Sequence, residues 1–489
     1  MSEKARKQIN RRDFLRLASL VSGGAILAAC APQATAAPAA PAAPAATAQP
    51  AAPTSAAAAP ATAAPTEAPQ ATTVPGANVS LTVWYWGDPD APGADKWLAE
   101  TATKYMAAKP NVKVEIVTQD GSTLFSALQT AASSGTGPDI GSQWATGPVM
   151  DFVWSDALVP VSDYIPADEL KHYLNTSENT VEGKVWGSSL YLVGVRVIYN
   201  KDMFQKANVT APGPDERWSW DQFMAACASL KTAGIVPFGC GNSDGYGGNW
   251  FFSNMGMQGI DTTEDLRQAV IGNAKFTDDK YTGWYKLLDD MVKKGYFNSD
   301  VMSMQHAQAF VDVSQGKTAM QWGIDGVIKQ TLKDMDPTKV GVLKFPKWGT
   351  GKMADYGNVT QSTSYLITKW SKAPQEAANF IMNWHSAERM SAWFAATGVV
   401  PADDRFDSSV ITDPVMQVVA KWNLTGPQVW LENWIPGQVD NDGDIPAGQM
   451  IFAQSGSPAN AANLWEQSAT AWRNQNPVEL DHWKNWKQS

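Results

Sequence analysis

Several short stretches carry residue types at spacings that could do chemistry. "QGKTAM" (Gln315–Met320) ends like a phosphate-binding loop, but the first glycine of that loop would stand at Val311. A loop that cradles phosphates on its backbone needs both glycines, so a nucleotide site is not expected. "GYGGNW" (Gly245–Trp250) fails as a dinucleotide fingerprint because Trp250 occupies the third glycine position. "DNDGDIPAGQMI" sets Asp440, Asp442 and Asp444 at calcium-loop spacing, but Ile445 replaces the turn glycine and Ile451 the closing glutamate. A solvated acidic turn is expected there. The four histidines are isolated, with no HExxH, so neither a metal site nor a cofactor is expected. What remains is aromatic. "LTVWYWGDPD" (Leu81–Asp90) places Trp84 and Trp86 on one side of a strand, with Asp88 just beyond. Such rings either pack in a core or line a site.

The elements that would position them begin after residue 78. The first 29 residues hold a basic segment and then thirteen uncharged residues, Leu17–Ala29. Thirteen is too few to span a bilayer and fits the apolar region of a signal peptide. Arg11-Arg12 followed by Phe14 and Leu15 resembles a twin-arginine export signal. Leu27-Ala-Ala-Cys30 resembles a lipoprotein cleavage site, with Cys30 the lipidated new N-terminus. Residues 30–78 are almost wholly Ala, Pro and Thr, with Glu67 the single charge. Such a segment buries too little surface to offset its ordering entropy and reads as a tether, reaching about 40 Å on average as a coil. The chain carries formal charge −10, and removing residues 1–29, with six Lys/Arg and two Asp/Glu, leaves it more acidic still. That balance argues against nucleic acid as a partner. Cys227 and Cys240 either pair in an oxidising exterior or stay as two buried thiols.

The remaining 411 residues, Val79–Ser489, suffice for two cores. "VSLTVWYWG" reads as a strand. Trp97, Leu98, Thr101, Tyr105 and Met106 recur at helical spacing and stop before Pro110. "VKVEIVT" reads as a strand, "TLFSALQTAASSG" as a helix and "PDIGSQW" as a strand. This β-α-β-α-β series predicts an α/β fold with a parallel sheet, whose ligands bind beyond the carboxyl ends of the strands. Both Trp84–Asp88 and Gly141–Thr146 fall at such ends. Ser219 is the expected N-cap of a helix ending at Gly234.

Several motifs recur together in one family. "GTGPDI" is followed by "DALVPVSDYI", then "GKVWGSSLYLVGVRVIYNKDMFQKANV" and "ERWSWDQFMAAC". Later come "SQGKTAMQWGIDG" and "AANFIMNWHSAERMSAWFAATGVVP". Over Val79 to about Pro401 the chain resembles the extracellular solute-binding proteins of family 1, the sugar-binding subunits of ABC importers. The resemblance implies a two-lobed, periplasmic-binding-protein-like (type II) fold with a hinge and an interlobe cleft. It places lobe 1 at 79–193 plus 345–397 and lobe 2 at 196–342 plus 400–489, with crossings near Leu192–Arg196, Val342–Phe345 and Thr397–Pro401. It implies a monomer that is not an enzyme, held outside the cytoplasm on the membrane by its lipid. That protein would close on a sugar or oligosaccharide and deliver it to a permease.

A pyranose offers apolar C–H faces and a rim of hydroxyls, so its site needs flat aromatics and a few polar groups. Of 22 tryptophans, Trp97, Trp284 and Trp384 sit among apolar residues of helices and are expected in the core. The candidate ligand residues are Trp84, Trp86, Asp88, Gln143, Trp144, Tyr246, Trp250, Trp322, Asp325, Tyr356, Asn358 and Trp434. Val193 stands where the maltose-binding branch has a ligand carboxylate, and Ser188-Ser189 replace its usual Tyr-Pro, so a maltose-type ligand set is not implied. Two alternatives remain. A non-sugar solute such as a glycerophosphodiester or a peptide would, if anionic, want a cation in the cleft; Arg196 is the obvious one, and its place at a crossing suggests a structural role. A secreted glycoside hydrolase would need two carboxylates across a bond; only Asp88 with Asp325 could be imagined.

Overall fold

The computed structural model describes residues 78–85, 91–119, 121–356, 359–425 and 429–486, with backbone alone for 121–122 and 359–362. Cys30, Trp86, Asp88 and Asn358 lie outside them. Among the described residues, no helix is long and apolar enough to cross a membrane.

Strand β1 (Val79–Tyr85) pairs in parallel with β2 (Val112–Thr118) and with β3 (Ile140–Trp144). The alternation in β1 is real: Leu81, Val83 and Tyr85 are buried on one face. The helix Ala94–Ala108 lays Trp97, Leu98, Thr101 and Tyr105 inward, at the spacing the sequence shows. The short β4 (Leu158–Val159) and a two-stranded ribbon, β5 (Thr180–Val181) with β6 (Lys184–Val185), precede the long β7 (Gly187–Asn200). The helix Trp220–Thr232 opens with a capping box, Ser219 with Gln222. Then come β8 (Val236–Gly239), β9 (Thr318–Gly323), β10 (Val340–Leu343) and β11 (Val359–Thr368). Nine strands form one mixed sheet in the order β2-β1-β3-β11-β7-β9-β8, with β10 on β7 and β4 on β11. Trp97, Trp284 and Trp384 are buried, as expected of core residues. Cys227 and Cys240 are free, buried thiols, so the disulfide alternative falls.

All fourteen residues of β7 are buried. Up to Val195 its partner is β11; from Arg196 onward it pairs with β9, and from Val197 with β10. The strand therefore passes from one half of the sheet to the other where Arg196 stands. Arg196 is fully buried, its Nη1 lies 3.8 Å from Asp325 Oδ1, and its Nη2 donates to the Asn423 amide oxygen. Asn423 returns a hydrogen bond from its own amide nitrogen to Asp325. Trp422 lies beneath the guanidinium, 5.8 Å from it. The guanidinium folds back over Gly194, where a Cβ would come within 1.6 Å of Nη1. Burial pushes the Asp325 carboxyl up to about 6, with Arg196 opposing the shift.

A second seam joins the helix Gly147–Trp154, which follows β3, to the C-terminal helix Pro477–Asn485. Trp154 stacks on His482 at 5.2 Å and meets Trp483 and Trp486 edge-on. Burial, then the nearby Glu479, raises Asp151 to about 8, and burial raises Glu479 too.

Removing one partner of a buried ion pair strands the other charge, at a cost of about 3–5 kcal/mol. Arg196→Ala is expected to lose stability on that scale in chemical denaturation, and Gly194→Ala to be similarly severe; a loss under about 1 kcal/mol for both would show that the clasp is not structural. A carboxyl whose folded pKa is raised supports the fold while protonated, and that support fades as pH rises through the folded value. Stability should therefore fall as pH rises from about 4 to about 8, the value for Asp151, and level off above it, and Asp151→Asn should flatten the fall when melting temperatures are recorded from pH 5 to 9.

Candidate functional site

The sequence-selected residues fall into two groups. At the strand ends of the first half, Trp84 is half-buried, on the face of β1 opposite Leu81, Val83 and Tyr85. Gln143 is buried, and its side-chain oxygen accepts from the backbone N–H of Trp144 at 2.8 Å. Trp144 is half-buried with its ring 5.5 Å from Phe125. Tyr356 is half-buried just before β11.

In the second half, the helix Tyr246–Phe251 presents Tyr246, 46% exposed, and buries Trp250. The helix sits close to the preceding loop because Gly247 has no side chain: a Cβ there would lie 2.2 Å from the Gly241 carbonyl oxygen. Trp250 stacks on Phe310 at 5.5 Å and meets Trp430 edge-on at 6.2 Å. His306 stands edge-on to Tyr246 at 5.1 Å, with Nδ1 2.8 Å from Asp244. Trp322 lies deeper. It stacks on Phe345 at 5.1 Å and shares with Trp250 the lining of a void of about 10 Å³, room for a single water at most. It braces Trp250 from behind. Trp434 is buried and stacks on Trp486 at 5.3 Å, so it supports the turn Leu431–Trp434.

Asp325 requires a correction. Its carboxyl is fully buried and held by Arg196 and Asn423, so it is closed to any ligand. The acidic stretch at 440–444 requires another. It is not a solvated turn: Asp440–Asp444 form one π-helical turn. Four-residue spacing puts Asp440 and Asp444 on one side, and the Asn249 amide nitrogen reaches both, at 2.9 and 3.5 Å. Tyr285 donates to Asp444 at 2.9 Å. Burial, with Asp440 adding to it, pushes Asp444 and Glu432 well above the ordinary carboxylate range, and burial takes Asp440 to about 7. Glu432 shares its short turn with Trp434, just after Trp430. That turn meets the start of the helix Gly147–Trp154, where a Cβ on Gly147 would lie 2.7 Å from the Asn433 carbonyl oxygen. The sequence pattern did not single out Trp430, Glu432 or Asn249, and it read Asp440 as part of a solvated turn. The signal available was "VWLENW", a glutamate bracketed by two tryptophans.

A Ser–His–Asp row also occurs. Ser188 Oγ lies 3.4 Å from His385 Nε2, and His385 Nδ1 lies 3.0 Å from Asp403. Ser188 is 1% exposed, Tyr173 stacks on the imidazole at 3.6 Å, and Arg405 holds Asp403. No substrate reaches that serine. The row fastens the segment after Val400 to β7.

The comparisons agree with this architecture. The family described as bacterial extracellular solute-binding protein matches residues 100–417. A binding protein of Brucella abortus (strain 2308) is 24% identical over 325 residues, 63% of this chain and 72% of its own length. The fold is similar to a structure from work on xylan utilization by Caldanaerobius polysaccharolyticus (21% identity, TM-score 0.67, 80% of this chain and 99% of that one). It is also similar to a chitin oligosaccharide binding protein (19%, TM-score 0.69, 81% and 98%) and to a solute-binding protein in complex with raffinose (17%, TM-score 0.66, 80% and 100%). The chain belongs to the bacterial extracellular solute-binding proteins, and it binds its ligand rather than transforming it.

Proposed function

We propose that this protein is the substrate-binding lipoprotein of an ABC importer, that it captures a sugar or oligosaccharide between its lobes by hinge closure, and that it hands the ligand to a membrane permease. One observation carries the reading: the half-exposed Tyr246 and the buried Trp250 and Trp430 stand near Asn249, Glu432 and Asp440. Flat rings beside a few acceptors suit the C–H faces and hydroxyls of a pyranose. Trp84, Gln143, Trp144 and Tyr356 are the candidates for the opposite wall, and Trp86, Asp88 and Asn358, outside the described residues, remain candidates from the sequence. The pairing switch within β7 supports a hinge at Val195–Arg196, because a ligand that touches both lobes favours the closed state.

The alternatives have less support. Arg196, the cation offered to an anionic solute, is enclosed by Asp325 and Asn423. Asp325, half of the imagined hydrolytic pair, is enclosed with it. Anchoring rests on the N-terminal signal and on Cys30.

Tyr246 is half-exposed, so Tyr246→Ala should leave the melting temperature within a few degrees. It should weaken saccharide binding about tenfold, the scale of one aromatic stacking contact; unchanged affinity by calorimetry would place the ring outside the site. Trp84→Ala should act likewise from the other lobe. Cys30→Ala should move the protein from the membrane to the soluble fraction, and a variant that stayed on the membrane would rule out the lipid anchor.

A further inference from the structure

We propose that the cleft takes a saccharide bearing a protonated amine, and that Glu432, Asp440 and the Asn249 carbonyl hold that cation. The inference rests on the saccharide reading above and adds the ligand's charge.

Three carboxyl groups, Glu432, Asp440 and Asp444, lie close enough to act on one another. Among the described residues, no Lys or Arg forms an ion pair with any of them. Asp444 is the satisfied member, between Tyr285 and Asn249. Asp440 accepts from the Asn249 amide nitrogen at 2.9 Å, whereas Glu432 is not fully satisfied. Glu432 Oε2 is buried with no hydrogen-bond partner; the Trp430 indole N–H is near it but also unpartnered. Asn249 is 1% exposed, and its side-chain oxygen is unpartnered while its nitrogen bridges the two aspartates. A buried acceptor without a donor is costly, and clustered carboxylates without a cation must bind protons instead. Burial first, and the neighbouring carboxylates for Glu432 and Asp444, raise these carboxyls, and a bound cation would oppose both effects.

The shape of the cluster argues for an ammonium over a metal ion. Among the described residues, no set of three or more acidic, histidine or cysteine side chains converges closely enough to hold a metal. An ammonium has three N–H donors and needs separated acceptors. Trp250, Trp430 and Tyr246 flank the cluster, and aromatic faces attract cations as well as sugar C–H groups. Access is available: Tyr246 is exposed, and Glu432 and Asp440 are only partly buried. The remaining charged neighbours are already matched or neutral. His306 is paired with Asp244, and the Tyr246 and Tyr285 phenols are raised by burial.

The test is isothermal calorimetry on the full chain at pH 6.5, with oligosaccharides in matched pairs. Each pair sets a glucosamine, galactosamine or mannosamine oligomer against its N-acetylated and its all-hydroxyl counterpart of equal length. At least one amine-bearing ligand should bind tenfold or more tightly than both counterparts, the scale of a charge-assisted hydrogen bond. Its binding should release protons, seen as a heat that changes with the buffer's ionisation enthalpy. Glu432→Gln and Asp440→Asn should each cut the preference to below threefold, and an unchanged melting curve would show that the variants fold. Neutral sugars binding as tightly as their amines would overturn the charge assignment and leave the saccharide reading standing. A panel in which no saccharide binds would overturn both. Calcium binding that is lost in Glu432→Gln would overturn the amine in favour of a metal.

Discussion

The architecture depends on one buried arginine. Arg196 stands where β7 leaves β11 and takes up β9, and its guanidinium is held between Asp325 and Asn423. Those two residues lie on different helices, Asp325–Asp334 and Pro414–Thr425. A single side chain therefore ties β7 to two helices. The carboxylate also opens its helix, where negative charge is favoured. Burying such a pair is costly and is tolerated only when each charge is matched. The bare backbone at Gly194 gives the guanidinium room to fold back.

Much of the fold was legible because it is periodic. Alternation in β1, helical spacing in 94–108 and the Ser219 cap each depend on neighbours a few residues apart. The core tryptophans were legible for the same reason. The site was less so. Asp325 looked like a ligand group because it follows a strand end, and the residues that enclose it come from positions 196 and 423. The acidic cluster draws on positions 249, 432, 440 and 444. Spacing within "DNDGD" suggested a calcium loop or a wet turn, whereas packing against Asn249 and Tyr285 wound it into a π-helical turn. Local pattern has no term for such distant partners.

Two kinds of aromatic ring serve the second lobe. Trp322, Phe345 and Phe251 form an inner layer, edge and face, that fixes Trp250. Trp250 and Trp430 are themselves buried, and Tyr246, 46% exposed, is the ring that reaches the surface near the polar groups. A ring presented to a ligand binds best when it has no freedom left to lose.

The two cysteines have a consequence for where the chain can fold. Cys227 and Cys240 are buried as thiols, and burial raises both, which keeps them in the unreactive protonated form. No step in assembling the body therefore waits for an oxidant. Its packing can be completed in a reducing compartment as well as an oxidising one, so redox chemistry does not set the order of folding and export.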